Sequence, residues 1–227
     1  MSDNDIDDDE YEVDEKPSSK DANLLASGYI RDTKIVLIQG QWRDLYDNNF
    51  FGQPESDTLV LDPEEAVLLV ERGRIKIFFD SNLEKEISID HYVNLVSEIL
   101  PDFWRKYIVY KDLRSRGYVV RAGYGELAPY RRYPRGARPN KAQSDTFIFP
   151  FAEGSHLDLT QLDTIVKQAQ SNRKVLILGM VDRSGDVTYY KASEFTIPIN
   201  TEEFEFPSES TSEDDSNSKK RKDLNQD

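Results

Sequence analysis

The segment that most restricts the fold is Val175-Leu-Ile-Leu-Gly-Met-Val181. It is a nearly continuous apolar run, far short of the ~20 residues a membrane helix needs. Such a run predicts a central strand buried on both faces, and therefore a sheet with helices on both of its sides. Ser184-Gly185-Asp186 is a hairpin turn signal, and Val187-Thr-Tyr-Tyr190 is the strand that pairs back.

The remaining elements follow from spacing. Ile35–Ile38, Leu59–Leu61 and Ile75–Phe79 read as strands. Asp62-Pro63 predicts an N-cap and a first helical proline, Ala66, Leu69 and Val70 follow at helical spacing, and Gly73 supplies the stop. His91–Lys111 carries apolar positions at helical spacing on either side of Pro101, which predicts two helices, the second ending at Arg116. Tyr118–Arg121 and Thr146–Phe151 read as strands, and Leu157–Ser171 as an amphipathic helix. The expected fold class is α/β: a small N-terminal α+β domain over 22–88, then a C-terminal α/β domain with a mixed, nuclease-like sheet over 89–199.

The charge is concentrated at the ends. Of a net charge of −14, residues 1–16 carry −8 and residues 201–227 carry −5, so residues 17–200 are close to neutral. Segments so polar and like-charged bury too little apolar surface to order themselves, which predicts disordered tails over 1–21 and 200–227. The N-terminus has neither the cationic nor the apolar region of a signal peptide, and the expected location is cytoplasmic. The absence of cysteine excludes disulfides, thiolate metal sites and a thiol nucleophile, and two histidines, His91 and His156, are too few for a multi-histidine centre.

Between Phe103 and Lys141 the pattern reverses. Eleven basic residues face two acids, Asp112 and Glu126, a local excess of +9. Tyr107, Tyr110, Tyr118, Tyr124, Tyr130 and Tyr133 are interleaved. Arginine and tyrosine together suit single-stranded or bulged RNA, whose bases stack on rings and guanidinium planes. Helical spacing assigns Tyr107 and Tyr110 to the core. Pro129–Pro139 reads as a loop carrying four arginines.

Two stretches carry a more specific signal. One is Leu45-Tyr-Asp-Asn-Asn-Phe-Phe-Gly52 with Leu59-Val-Leu-Asp-Pro-Glu-Glu-Ala-Val-Leu-Leu-Val-Glu-Arg-Gly-Arg-Ile75. The other is Tyr110-Lys-Asp-Leu-Arg-Ser-Arg-Gly-Tyr-Val-Val120, then Tyr133-Pro-Arg-Gly136, Asn172-Arg-Lys-Val-Leu-Ile177 and Val181-Asp182. In this order and spacing, over residues 24–195, they resemble the archaeal tRNA-splicing endonuclease family, the tRNA-intron lyases. The resemblance implies RNA cleavage without a metal or other cofactor, in which a 2′-OH attacks the adjacent phosphate and leaves a 2′,3′-cyclic phosphate and a 5′-OH. A tyrosine, a histidine and a lysine form the usual triad. Such chemistry needs a base, an acid and a cation to stabilise the transition state.

The resemblance assigns the tyrosine to Tyr133 and the lysine to Lys174. The histidine position, ten residues after the tyrosine, holds Gln143, whose amide has no proton to give at accessible pH. The family's acidic position upstream of the tyrosine falls near Pro129, and a helical arginine that stacks on a bulge base matches Lys167. Arg131, Arg132, Arg135, Arg138, Lys141 and Lys167 are the candidate RNA contacts. Asp182 and Asp186 match an acidic loop that inserts into a partner subunit. These features imply precursor tRNA as substrate, and a homo-oligomer or a hetero-oligomer with a catalytic paralogue. The expected role is a structural, RNA-binding subunit. The alternative is an active lyase in which Lys141 or Lys174 supplies the leaving-group proton. A third reading is an RNA-binding or assembly protein outside splicing.

Overall fold

The structure, a computed structural model, describes residues 23–139 and 141–194. The tails expected to be disordered lie outside the described residues. The first half contributes β1 (Ala26–Arg31), β2 (Lys34–Gly40), α1 (Trp42–Asp47), β3 (Gln53–Glu55), β4 (Thr58–Leu61), α2 (Pro63–Glu71) and β5 (Ile75–Phe78). The second contributes α3 (Ile89–Ile99), α4 (Phe103–Ser115), β6 (Val119–Ala122), β7 (Tyr130–Tyr133), β8 (Thr146–Ala152), α5 (Leu159–Ser171), β9 (Val175–Val181) and β10 (Val187–Ala192). Each half is built on a five-stranded mixed sheet, in the order β3-β4-β2-β1-β5 and β10-β9-β8-β7-β6. In the first only β1 and β5 run parallel, and in the second only β8 and β9.

Local chemistry explains the helices. Asp62 caps α2 with Pro63 in its first turn, and the Glu65 carboxylate accepts the Asp62 N–H at 3.1 Å. Gly73 turns the chain out of α2 at φ 65°. Ser88 caps α3 by accepting the His91 N–H at 3.3 Å. The break at Pro101 separates α3 from α4 as the spacing predicts, and Tyr107 and Tyr110 are buried.

Alternation along the second sheet divides its two faces. Ile148, Tyr130, Val120 and Val181 join the core cluster that also holds α4 and the first sheet. Phe147, Leu176 and Leu178 pack with Ile165, Val166 and Ala169 of α5 on the other side. Gly179 allows α4 to approach β9, since a Cβ there would stand 3.1 Å from the Val109 side chain.

β9 is interior and packed on both faces, as its apolar run predicts, with β10 outside it. One expectation is corrected. Arg131, Arg132 and Tyr133 lie on a strand, β7, and not in a loop. The flanking Pro129 and Pro134 mask it in the sequence, yet Tyr130 and Tyr133 are both buried. The first sheet also has two strands without a sequence signal. β1 (Ala-Ser-Gly-Tyr-Ile-Arg) and β3 (Gln-Pro-Glu) have weak intrinsic β-preference and form through their partners β2, β5 and β4.

Candidate active site

Arg132, Thr146 and Val175 form one row across β7, β8 and β9. β7 is antiparallel to β8, and β9 is parallel to it. One residue beyond this row therefore stand Tyr133 at the end of β7, Asp145 before β8 and Lys174 before β9. Backbone bonds fix that next row: the Asp145 N–H donates to Arg132 O at 3.2 Å, and the Val175 N–H to Asp145 O at 3.0 Å. Tyr133 and Lys174, 41 positions apart in the sequence, are thus held at one end of the same sheet.

Each side chain has a local reason for its place. Lys174 leaves α5 through a tight helix end. The Lys174 N–H reaches back to Ala169 O at 2.9 Å, with Arg173 in the left-handed region at φ 55°. The Lys174 ammonium donates to Ser144 O at 2.6 Å and lies 5.7 Å from the centre of the Phe147 ring. It is therefore anchored on the residue that follows Gln143. Gln143 is exposed, and Tyr133 keeps 5% of its surface open.

The basic residues separate into two groups. Arg114 donates to Asn49 O at 2.8 Å and covers the Phe51 ring at 4.0 Å, while Arg121 donates to Gly52 O. Both are spent on holding the Phe-Gly turn, where Gly52 sits at φ 65° and a Cβ would stand 2.8 Å from Val60 O. Arg105, Lys111 and Arg116 pair with Asp102, Glu71 and Asp112. Arg132 pairs with Asp145 at 3.3 Å and donates to the Thr146 hydroxyl at 2.8 Å. Lys167 pairs with Asp163 at 2.7 Å, which raises its pKa. Arg131 and Arg135 lie over tyrosine rings, those of Tyr124 and Tyr118. Among the described residues the side chains of Arg138 and Lys141 make no ion pair, and both are exposed.

Asp182 organises the β9–β10 turn, its Oδ1 accepting the N–H groups of Ser184 at 2.8 Å and Asp186 at 2.9 Å. Asp186 is exposed. His91, on α3, lies edge-on to Phe79, which follows β5, and His156 is exposed ahead of α5.

Sequence reasoning did not single out Asp145, which shares the row of Tyr133 and Lys174. Its signal was its place just before a strand, beside Gln143. It also did not single out Phe147, which lies beneath Lys174, or Glu64. Glu64, on α2, accepts the Tyr130 hydroxyl at 2.8 Å and so ties the strand that bears Tyr133 to the first half of the chain. Burial raises the pKa of both groups.

Two family models match the chain, tRNA intron endonuclease, N-terminal domain, over residues 26–92 and tRNA intron endonuclease, catalytic C-terminal domain, over residues 103–189. A tRNA-splicing endonuclease of Pyrococcus horikoshii is 37% identical over 147 residues, which are 65% of this chain and 82% of that protein. The chain belongs to the tRNA-splicing endonuclease family. A second family member, from Methanothermobacter thermautotrophicus, is 32% identical over 148 residues, covering 65% of this chain and 84% of that protein. Relatives differ in length. A tRNA-splicing endonuclease of Methanococcoides burtonii is 37% identical over 163 residues, 69% of this chain, yet the chain spans only 43% of that protein.

Proposed function

We propose that the chain is a subunit of a tRNA-splicing endonuclease that binds precursor tRNA with bulge–helix–bulge introns and cleaves it poorly by itself. The observation that carries this reading is the shared row of Tyr133 and Lys174 with Gln143 beside it. Family membership supports tRNA intron cleavage as the process.

In the cleavage step the 2′-oxygen attacks the adjacent phosphorus in line and loses its proton. The bond from phosphorus to the 5′-oxygen breaks, and that oxygen must gain a proton. Tyr133 is assigned as the base. Lys174 is assigned as the cation that stabilises charge on the phosphate oxygens, where a fixed positive charge is most effective. Gln143 is assigned to the acid's position, where its amide can hydrogen-bond a phosphate oxygen but has no proton to donate. Arg138 and Lys141, exposed and without an ion pair among the described residues, and Arg135, on Tyr118, are assigned to RNA, with Arg131, Arg132 and Lys167 as further contacts. A partner subunit with an intact triad would supply the chemistry. Asp186 and the outer strand β10 are assigned to that contact, with Asp182 shaping the turn. The cytoplasm is the proposed compartment, and no helix among the described residues is long and apolar enough to cross a membrane.

One observation favours a second reading, an active lyase. The Lys174 ammonium lies 2.6 Å from the carbonyl of Ser144, next to Gln143, where a substitute acid would be needed. Lys141 is the other candidate for that role.

Binding tests the proposal. Precursor tRNA should bind more tightly than the spliced product, and replacing Arg135, Arg138 and Lys141 by alanine should weaken binding. The salt slope should fall by about one unit per lost phosphate contact. Equal affinity for precursor and product, or an unchanged slope, would contradict it.

A further inference from the structure

We propose that Tyr124 is a stacking platform for an unpaired nucleobase, placed beside the Tyr133–Lys174 site. This deepens the proposed function and rests on it.

The observation is an open aromatic ring prepared on one side by a cation. Tyr124 lies between β6 and β7, where its N–H donates to Ala128 O at 2.9 Å and the Gly123 N–H to Pro129 O at 2.8 Å. These bonds close a short hairpin that projects the ring. Gly123 is required there, since a Cβ would stand 1.8 Å from Ala128 O. Tyr124 is nonetheless 53% exposed. The Arg131 guanidinium lies 5.5 Å from its centre and donates to its hydroxyl at 3.2 Å. Its inner side rests edge-to-face on the fully buried Phe147 at 5.7 Å.

Phe147 connects this ring to the candidate site, because the Lys174 ammonium lies 5.7 Å from the same Phe147 ring. Arg131 and Tyr133 are two apart on β7 and so share a face of the sheet, and Phe147 on β8 pairs with Arg131 and lies on that face too. A phosphate held by Lys174 would have its neighbouring base within reach of Tyr124.

Two neighbouring tyrosines of the basic segment do not offer this surface. Tyr118 is half-buried, with the guanidinium groups of Arg132 and Arg135 at 4.7 and 4.9 Å from its centre. Tyr130 is buried against Glu64. A tyrosine supported by one arginine and open to solvent matches how single-stranded RNA is held, since every base has a face to stack and the guanidinium stays near the backbone phosphates.

The test uses the full chain and a bulge–helix–bulge RNA carrying 2-aminopurine at each bulge position in turn. Stacking on tyrosine changes the fluorescence of 2-aminopurine. Wild type and Tyr124→Phe should give that change at one or more bulge positions. Tyr124→Leu keeps an apolar cover over Phe147 but removes the aromatic face. It should abolish the change and weaken binding by on the order of 5- to 150-fold, the range for loss of one stacked base. Its salt slope should equal that of wild type, because no phosphate contact is removed. The same signal from Tyr124→Leu as from wild type, or wild-type affinity in that variant, would overturn the platform and leave the proposed function standing. Failure of wild type to bind the RNA at all would overturn both.

Discussion

Glu65 is held by an unusual set of opposing forces. It is buried, and its two carboxylate oxygens accept the Gly52 N–H at 3.1 Å, with one of them also accepting the Asp62 N–H. Burial, followed by the charge of Asp62, pushes its pKa from the ordinary 4.5 up to about 7, against the lowering effect of those N–H donors and Arg121. The folded state therefore keeps a proton that the unfolded chain releases. The stability contribution of Glu65 falls as pH rises from about 4.5 to about 7 and is level outside that window. Urea denaturation at several pH values should show wild type losing stability relative to Glu65→Gln across this window, at up to about 1.4 kcal/mol per pH unit. Parallel curves would count against it. A second contrast separates basic residues of the fold from those assigned to RNA. Arg114→Ala removes a hydrogen bond to Asn49 O and the cover on Phe51, and should cost about 1–3 kcal/mol by thermal denaturation. Arg138→Ala should stay within about 0.5 kcal/mol and act on RNA binding alone.

At the scale of elements, α2 and β7 are joined by the Tyr130–Glu64 bond. Tyr130→Phe keeps the ring but leaves a buried carboxyl without its donor, which should destabilise the chain by about 1–3 kcal/mol. Glu64→Ala in that background should then cost less than it does in wild type, as a double-mutant cycle would show. Additive losses would mean that the bond contributes nothing. This tie also shows where sequence reading stops. α2, α3 and α4 were legible because caps, Pro63, Pro101 and apolar spacing are local signals. β8, β9 and β10 were legible from their apolar and β-branched runs. β7 was not, since Tyr-Arg-Arg-Tyr has no apolar run and its burial depends on Ile148 and Glu64, which are distant in the sequence. Tyr133 and Lys174, the residues assigned to the proposed site, were singled out through motifs. Asp145, Phe147 and Tyr124 became visible only once the strand register placed them beside Lys174 and Arg131.

At the scale of the whole molecule, eleven basic residues in Phe103–Lys141 overstate the surface left for an anionic partner. Arg105, Lys111, Arg114, Arg116 and Arg121 are engaged within the chain. The outer strand β10 has one edge paired to β9 and Tyr190 exposed, with the Asp186 turn at its start. Among the described residues its other edge has no partner strand, and such an edge favours association with another chain. Sedimentation at micromolar concentration should show an oligomer, alone or with a co-expressed catalytic homologue, and Asp186→Lys should weaken it. A monomer under both conditions would contradict the assigned contact. The central claim concerns the proton that Gln143 has no means to supply. Single-turnover cleavage of a bulge–helix–bulge RNA in EDTA tests it most directly, comparing wild type, Gln143→His, and Gln143→His combined with Tyr133→Phe. Wild type should cleave slowly, and Gln143→His should recover part of the ~10²–10⁴-fold that acid–base assistance contributes. An ionisation near ~6.5 should appear in its pH–rate profile, and Tyr133→Phe should remove the gain. Wild-type cleavage at the rate of a triad-bearing relative, with no gain from Gln143→His, would contradict the claim and favour the active lyase.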